Sequence, residues 1–164
     1  MTAKARPFAR AQPEEALPVR LWLRLLGSYS AIERQLRTRL QARFRTTMPR
    51  FDAMAQLRRE PDGMTMGQLS DWMMVTKGNI TGLVDRLIAD GLAERTRAPN
   101  DGRSSIVRLS KSGRARFDRI APIMRRWIGE IFAGMPPGEM ERLYRILGRV
   151  RDAAERPNAK GRAP

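Results

Sequence analysis

Lys77, Gly78, Asn79, Thr81 and Gly82 stand interleaved with Ile80, Leu83, Val84, Leu87 and Ile88, whose spacing of three and four is the helical period. A helix from Lys77 to Asp90 with this pattern buries one stripe and leaves a small, polar N-terminal face. Such side chains carry hydrogen-bond donors and acceptors on little bulk, so the face suits a nucleic-acid groove and the base edges and phosphates inside it. The surrounding stretch, Met64 to Arg103, is organised around that helix.

Other chemistries are narrowed by what the chain lacks. With no cysteine and no histidine, there is no disulfide, no thiol nucleophile, and neither the commonest general base nor the usual transition-metal ligands. The acidic pair Glu14-Glu15 lies in a proline-containing arm, and no nucleophile, base and orienter stand in a recognisable pattern. The sequence therefore predicts a non-enzyme with no cofactor and no metal. A net charge of +15, from 32 Lys+Arg against 17 Asp+Glu, favours a polyanionic partner through phosphate contacts and counterion release. Nucleic acid is the first such partner and an acidic membrane surface the second; an arginine- and alanine-rich coding habit would give the same excess without either. No run approaches the roughly 20 consecutive apolar residues of a spanning helix, and residues 1–12 carry charge where a secretory signal has its apolar centre. The expectation is a soluble cytoplasmic chain without membrane contact.

The elements that must position the face follow in order. Residues 1–17 read as a disordered arm, whose Lys4, Arg6 and Arg10 either touch a DNA backbone or stay solvated. From 18 to 45, Trp22, Leu25, Tyr29, Ile32, Leu36 and Leu40 predict a helix, interrupted in its middle by Gly27-Ser28, which mark a bend or a close approach or are simply tolerated there. Arg34, Arg37, Arg39, Arg43 and Arg45 on its second half make a solvated basic face or an anion-binding one. Thr47 is expected to cap the next helix, with Pro49 in its first turn and Phe51, Met54, Ala55 and Leu57 buried. Pro61-Asp62-Gly63 ends it.

Thr65-x-x-Gln68 is a capping box, with Met64 and Leu69 placed as a hydrophobic staple and Leu69, Trp72 and Met73 on the apolar face. After a turn at Met74-Val75, Thr76 caps the central helix, and Gly91 stops it. Two short helices so joined are a helix-turn-helix. Leu92 to Arg97 and Ser104 to Leu109 then pair as strands across the turn residues Ala98 to Gly102, with Val107 and Leu109 inward and Ile106 and Arg108 outward. Arg95, Arg97, Arg103 and Arg108 rim this hairpin, which is a wing for a minor groove or a plain surface hairpin. Ser110 caps a helix to about Gly134 with Phe117, Ile120, Met124, Trp127 and Ile131 in one seam. Met140, Leu143, Leu147 and Val150 repeat the seam beyond Pro136-Pro137. These seams intertwine with a second copy or pack within the chain. The fold class is mainly α with a small β-hairpin wing, a winged helix-turn-helix at 46–109 between dimerisation helices at 18–45 and 110–156, with a tail at 157–164.

Taken together, TMPRFD at 47–52, MGQLS at 66–70, VTKGNITGLVDRL at 75–87, GLAER at 91–95, DGR at 101–103 and LSKSG at 109–113 give the chain its resemblance to the multiple-antibiotic-resistance-regulator (MarR) family of winged helix-turn-helix transcription factors. The resemblance covers about residues 18–155 and implies a homodimeric repressor on a pseudopalindromic operator of double-stranded DNA. It implies that Lys77, Asn79 and Thr81 lie near base edges or phosphates, Arg86 by the backbone, and Arg103, oriented by Asp101, in the minor groove. Thr65, Gln68, Thr76, Gly78, Gly82, Arg95, Arg97 and Ser104 complete the DNA-facing set. It further implies a small-molecule effector. Without the cysteine of peroxide-sensing branches or the histidine of zinc-sensing ones, non-covalent sensing remains, and TKGNITGL is similar to branches that answer to aromatic acids or their coenzyme A thioesters. Trp22, Tyr29, Arg34, Met48, Phe51, Met54 and Trp72 are the residues to hold such a ligand, although the apolar ones are equally ordinary core. The alternative function is an effector-independent architectural DNA binder of the nucleoid type.

Overall fold

The helical periods become six helices and one three-stranded sheet among the described residues, which in this computed structural model are 16–73, 76–98 and 101–156. The elements are α1 (Leu17–Phe44), α2 (Met48–Arg59), β1 (Met64–Thr65), α3 (Met66–Met73), α4 (Lys77–Ala89), β2 (Ala93–Ala98), β3 (Asp101–Leu109), α5 (Lys111–Phe132) and α6 (Pro137–Glu155). The N-terminal arm with Lys4, Arg6, Arg10 and Glu14-Glu15, the Met74-Val75 turn, Pro99-Asn100 and the C-terminal tail lie outside the described residues. No helix among the described residues is long and apolar enough to cross a membrane.

The chain divides into two compact units, one ending at Arg125 and one beginning at Arg126. The core of the first collects one stripe from each element: Leu36 and Leu40 of α1, Met54 and Leu57 of α2, Leu69 of α3, Ile80, Val84 and Leu87 of α4, Val107 and Leu109 of β3, and Ile120 and Met124 of α5. Phe51 of α2 stacks on Phe117 of α5 with ring centroids 5.4 Å apart, a geometry that adds to plain area burial. The second unit holds the end of α5 and the whole of α6, no residue of which is buried.

Several local expectations were met by hydrogen bonds. The Thr65 amide donates to Gln68 Oε1 at 2.9 Å and the Gln68 amide to Thr65 Oγ1 at 3.2 Å, which is the reciprocal capping box. Gly91 takes a left-handed φ of 67° at the end of α4. Ser110 Oγ accepts the Gly113 amide at 3.0 Å and donates to the Gly91 carbonyl at 2.7 Å, so one hydroxyl both caps α5 and ties it to the end of α4. Val107 and Leu109 point inward, and Arg108 is exposed.

Other expectations need correction. Thr47 stands at the N-cap of α2 but its hydroxyl makes no capping bond; one of the two amides such a hydroxyl would use belongs to Pro49, which has no N–H. Gly27-Ser28 does not interrupt α1, which runs through 28 residues, because a penalty of about 1 kcal/mol is small against the propagation of so long a helix. Met64 and Thr65 form β1, which pairs antiparallel with β3 at Val107 and Ile106, so the sheet order is β1-β3-β2. β3 begins at Asp101 rather than Ser104, and Ala98 pairs with Asp101 across a register shift at Arg97/Ala98. Pro122 sits inside α5, where a lost amide and a clash with the preceding turn normally cost about 3 kcal/mol; its neighbours Ile120, Ala121 and Met124 are all buried and hold the helix there.

Gly113 lies so close to β2's lead-in that a Cβ would stand 1.9 Å from the Leu92 carbonyl oxygen. Gly113→Ala is expected to lower the unfolding free energy by about 1–3 kcal/mol, read as a lower urea midpoint; an unchanged midpoint would contradict the packing described. Asp52 of α2 has its carboxyl raised above the ordinary 3.8, by burial first and by the charge of Glu33 second. A carboxyl that protonates more readily when folded favours the fold at low pH and loses that advantage as pH rises through its raised value. At neutral pH its charge is therefore a burden. Asp52→Asn is expected to raise the thermal midpoint at pH 7, with the gain shrinking toward pH 4; a lower midpoint at pH 7 would overturn this.

Candidate nucleic-acid interface

Burial decides which way α4 faces. Ile80, Val84 and Leu87 have at most 1% of their surface exposed, and the 3.6-residue period then turns Gly78, Gly82, Asp85, Arg86 and Ala89 to the opposite side. All five are exposed. A Cβ at Gly78 or Gly82 would meet nothing within 4 Å, so neither glycine is required by the fold. Thr76, in extended conformation, accepts the Asn79 amide on Oγ1 at 3.4 Å and starts the helix; Asn79 and Thr81 flank the glycines and are exposed. The result is a capped helix end whose glycines leave open space on the outer face.

The flanking residues fall into different situations. Thr65 and Gln68 use their polar atoms in the capping box of α3. Arg95 of β2 donates to Asp85 of α4 at 2.8 Å, which joins hairpin to helix. Arg97 is exposed on β2 opposite Ser105, and Arg108 pairs across the strands with Glu94 at 3.3 Å. The side chains of Lys77, Asp101, Arg103 and Ser104 lie outside the described residues; the backbone puts the first at the start of α4 and the others on β3.

The residues read as ligand-holding also separate. Phe51 and Met54 are buried, Met48 is half-buried, and Trp22, Tyr29, Arg34 and Trp72 are exposed, Trp22 and Tyr29 by 63% and 67%. Trp22 and Tyr29 lie seven positions apart on α1, hence on one face.

Sequence reasoning missed the polar contacts behind α4. Arg50 of α2 donates to the carboxylate of Asp90, the C-cap of α4, and Arg116 of α5 donates to the Phe44 carbonyl at the end of α1 at 2.8 Å. The Arg50 hydrogen bond and charge hold the Asp90 carboxyl below its ordinary value. Arg50 belonged to the TMPRFD segment, but nothing local announces a partner 40 positions away.

A capped helix pair followed by an antiparallel hairpin defines a winged helix-turn-helix protein. The model of the MarR family matches residues 46–104. A MarR family transcriptional regulator from Silicibacter pomeroyi has a crystal structure similar to this one, with 30% identity and a TM-score of 0.73 over 84% of this chain and 95% of that one. The PcaV transcriptional regulator from Streptomyces coelicolor, solved in complex with its natural ligand, is 25% identical with a TM-score of 0.68 over 89% and 99%. The transcriptional activatory protein BadR from Rhodopseudomonas palustris is 30% identical over 96 residues, 58% of this chain; the chain spans about half of that relative's length, 55%. This chain belongs to the MarR family.

Two substitutions separate what the fold needs on α4 from what it leaves open. Thr76→Ala is expected to cost about 1 kcal/mol as the cap is lost, whereas Gly82→Ala, into open space, is expected to stabilise by about 0.5–1 kcal/mol. Thermal midpoints moving in the same direction would contradict the geometry.

Proposed function

We propose that this chain is a DNA-binding transcriptional regulator, a homodimeric repressor that holds a pseudopalindromic operator and is released by a small aromatic acid or an aromatic acyl-coenzyme A thioester. The observation that carries the DNA-binding reading is the bare outer face of α4, where Gly78 and Gly82 forgo helix stability with no intramolecular need for it. A close external surface supplies the reason. In this reading Lys77, Asn79 and Thr81 meet base edges or phosphates in the major groove, Arg86 meets the backbone, and Arg103, with Asp101 beside it in sequence, enters the minor groove. The net charge of +15 supplies the long-range attraction.

Dimerisation is supported separately in each unit. The start of α1 exposes Leu17, Leu21, Trp22 and Tyr29, and α6 exposes Met140, Tyr144, Leu147 and Val150, more clustered apolar surface than solvent alone accounts for. For the effector, PcaV was solved with a natural ligand; here exposed Arg34 offers a cation for an acid or phosphate, and exposed Trp22, Tyr29 and Trp72 with half-buried Met48 offer apolar surface, while Phe51 and Met54 stay in the core. BadR and the Silicibacter pomeroyi protein are named as transcription proteins, which favours discrete operators over architectural coating.

Selection from random duplex DNA is expected to return a pseudopalindrome with half-sites about 10 base pairs apart, one helical turn. Gly82→Ala and Arg103→Ala should both weaken binding to it, the first despite a more stable fold. Sequence-tolerant binding would instead support the architectural reading. A panel of aromatic acids and their thioesters should raise the thermal midpoint and release the DNA, and a panel with no active member would remove the effector from the proposal.

A further inference from the structure

Apolar burial fixes which side of α4 faces inward, but it is not directional and leaves the tilt of the helix loosely determined. Polar contacts on its flank and at its end add directional restraints. Along its flank α4 is held to β2 by Asp85 and Arg95; at its C-terminal end it is held to α2 by Asp90 and Arg50. The two ends of this second contact differ. The Arg50 side chain is only 20% exposed while that of Asp90 is 51% exposed, so the guanidinium is set in place by α2 and the carboxylate comes to it. Arg50 adjoins Phe51, whose ring stacks on Phe117 of α5, and its remaining buried Nε–H has no protein partner. A second guanidinium, Arg116 of α5, also acts on Asp90 by charge while it holds the Phe44 carbonyl at the end of α1.

The end of α4 is thus bonded to α2 and lies within the charge of an α5 arginine that in turn holds the end of α1. We propose that Arg50 and Asp90 are positioning residues that fix the tilt of α4 for DNA binding and carry displacements of α1, α2 or α5 to it, an inference that rests on α4 being the DNA-reading helix. The lever is long enough for this. Thirteen residues at 1.5 Å each make a helix of about 20 Å, so a tilt of about 10° about the C-terminal end moves the Gly78 end by roughly 3 Å. A hydrogen bond to a base edge tolerates a few tenths of an ångström. The latch is one-sided, because in Asp90→Asn a neutral amide oxygen replaces the carboxylate that is this mostly buried guanidinium's only acceptor among the described residues, and the charge-assisted bond is lost.

Asp90→Asn tests this with an unusual sign. It removes one negative charge from a protein already at +15, so electrostatics alone makes binding to a polyanion equal or tighter. The latch makes it weaker. Expected for Asp90→Asn are a thermal midpoint within a few degrees of the parent and about tenfold or greater loss of affinity for the selected operator at fixed salt. Arg50→Met is expected to lose affinity similarly, and the Arg50→Met/Asp90→Asn double variant to lose no more than the worse single one, as paired residues do. Equal or tighter binding by Asp90→Asn, or losses that simply add in the double variant, would overturn the proposal. If Gly82→Ala weakens binding and Asp90→Asn does not, only the latch fails; if the parent selects no operator, the reading of α4 fails and takes the latch with it.

Discussion

Three side chains on one stripe of α4, Ile80, Val84 and Leu87, are essentially sealed from solvent. Burying each contributes about 1.5–3 kcal/mol, so rotating the helix by one residue, 100°, would forfeit several kcal/mol at once. Gly78 and Gly82 are outside because these three are inside. The remaining devices keep the helix where that stripe puts it: the Thr76 cap starts it, the left-handed Gly91 ends it, and the serine hydroxyls of the α5 lead-in bind the Gly91 carbonyl. Packing supplies the orientation and hydrogen bonds supply the ends.

Charge is arranged to the same purpose. The helix and its cap carry two carboxylates, Asp85 and Asp90, and each is matched by an arginine from a different element, Arg95 and Arg50. On the hairpin, Glu94 is matched by Arg108. The surface pairs among them, Asp85–Arg95 and Glu94–Arg108, add little to folding stability. Their larger effect is on the field: acidic groups that would repel phosphate have their charge offset by a neighbouring arginine, and Arg86 is left exposed on the outer face. The same arginines therefore cannot be counted twice, and the pairing of Arg95 shifts its role from groove contact toward holding helix and hairpin together.

What the sequence made legible was the local chemistry. The capping box at Thr65 and Gln68, the Thr76 cap, the Gly91 stop and the inward Val107 and Leu109 depend on residues within a few positions of each other, where period and spacing speak directly. Contacts made across the fold were silent. The two-residue strand β1 exists only because β3 lies beside it, and Arg50 finds Asp90, and Arg116 finds Phe44, over separations of 40 and 72 positions. Thr47 failed in the other direction: its type and place were right for a cap, but the proline two residues on removed one of the amides that would have answered it.

In the proposed complex α4 enters a major groove by its Gly78–Gly82 face while the hairpin lies over the adjoining minor groove. Dimethyl sulfate distinguishes the two, since it modifies guanine N7 in the major groove and adenine N3 in the minor. On the selected operator, two patches of guanine N7 protection about 10 base pairs apart are expected, each flanked by adenine N3 protection. Guanine protection is predicted to fade in Gly82→Ala while the flanking adenine pattern is the last to go. Protection confined to adenine N3, with guanine N7 fully reactive throughout, would contradict this placement.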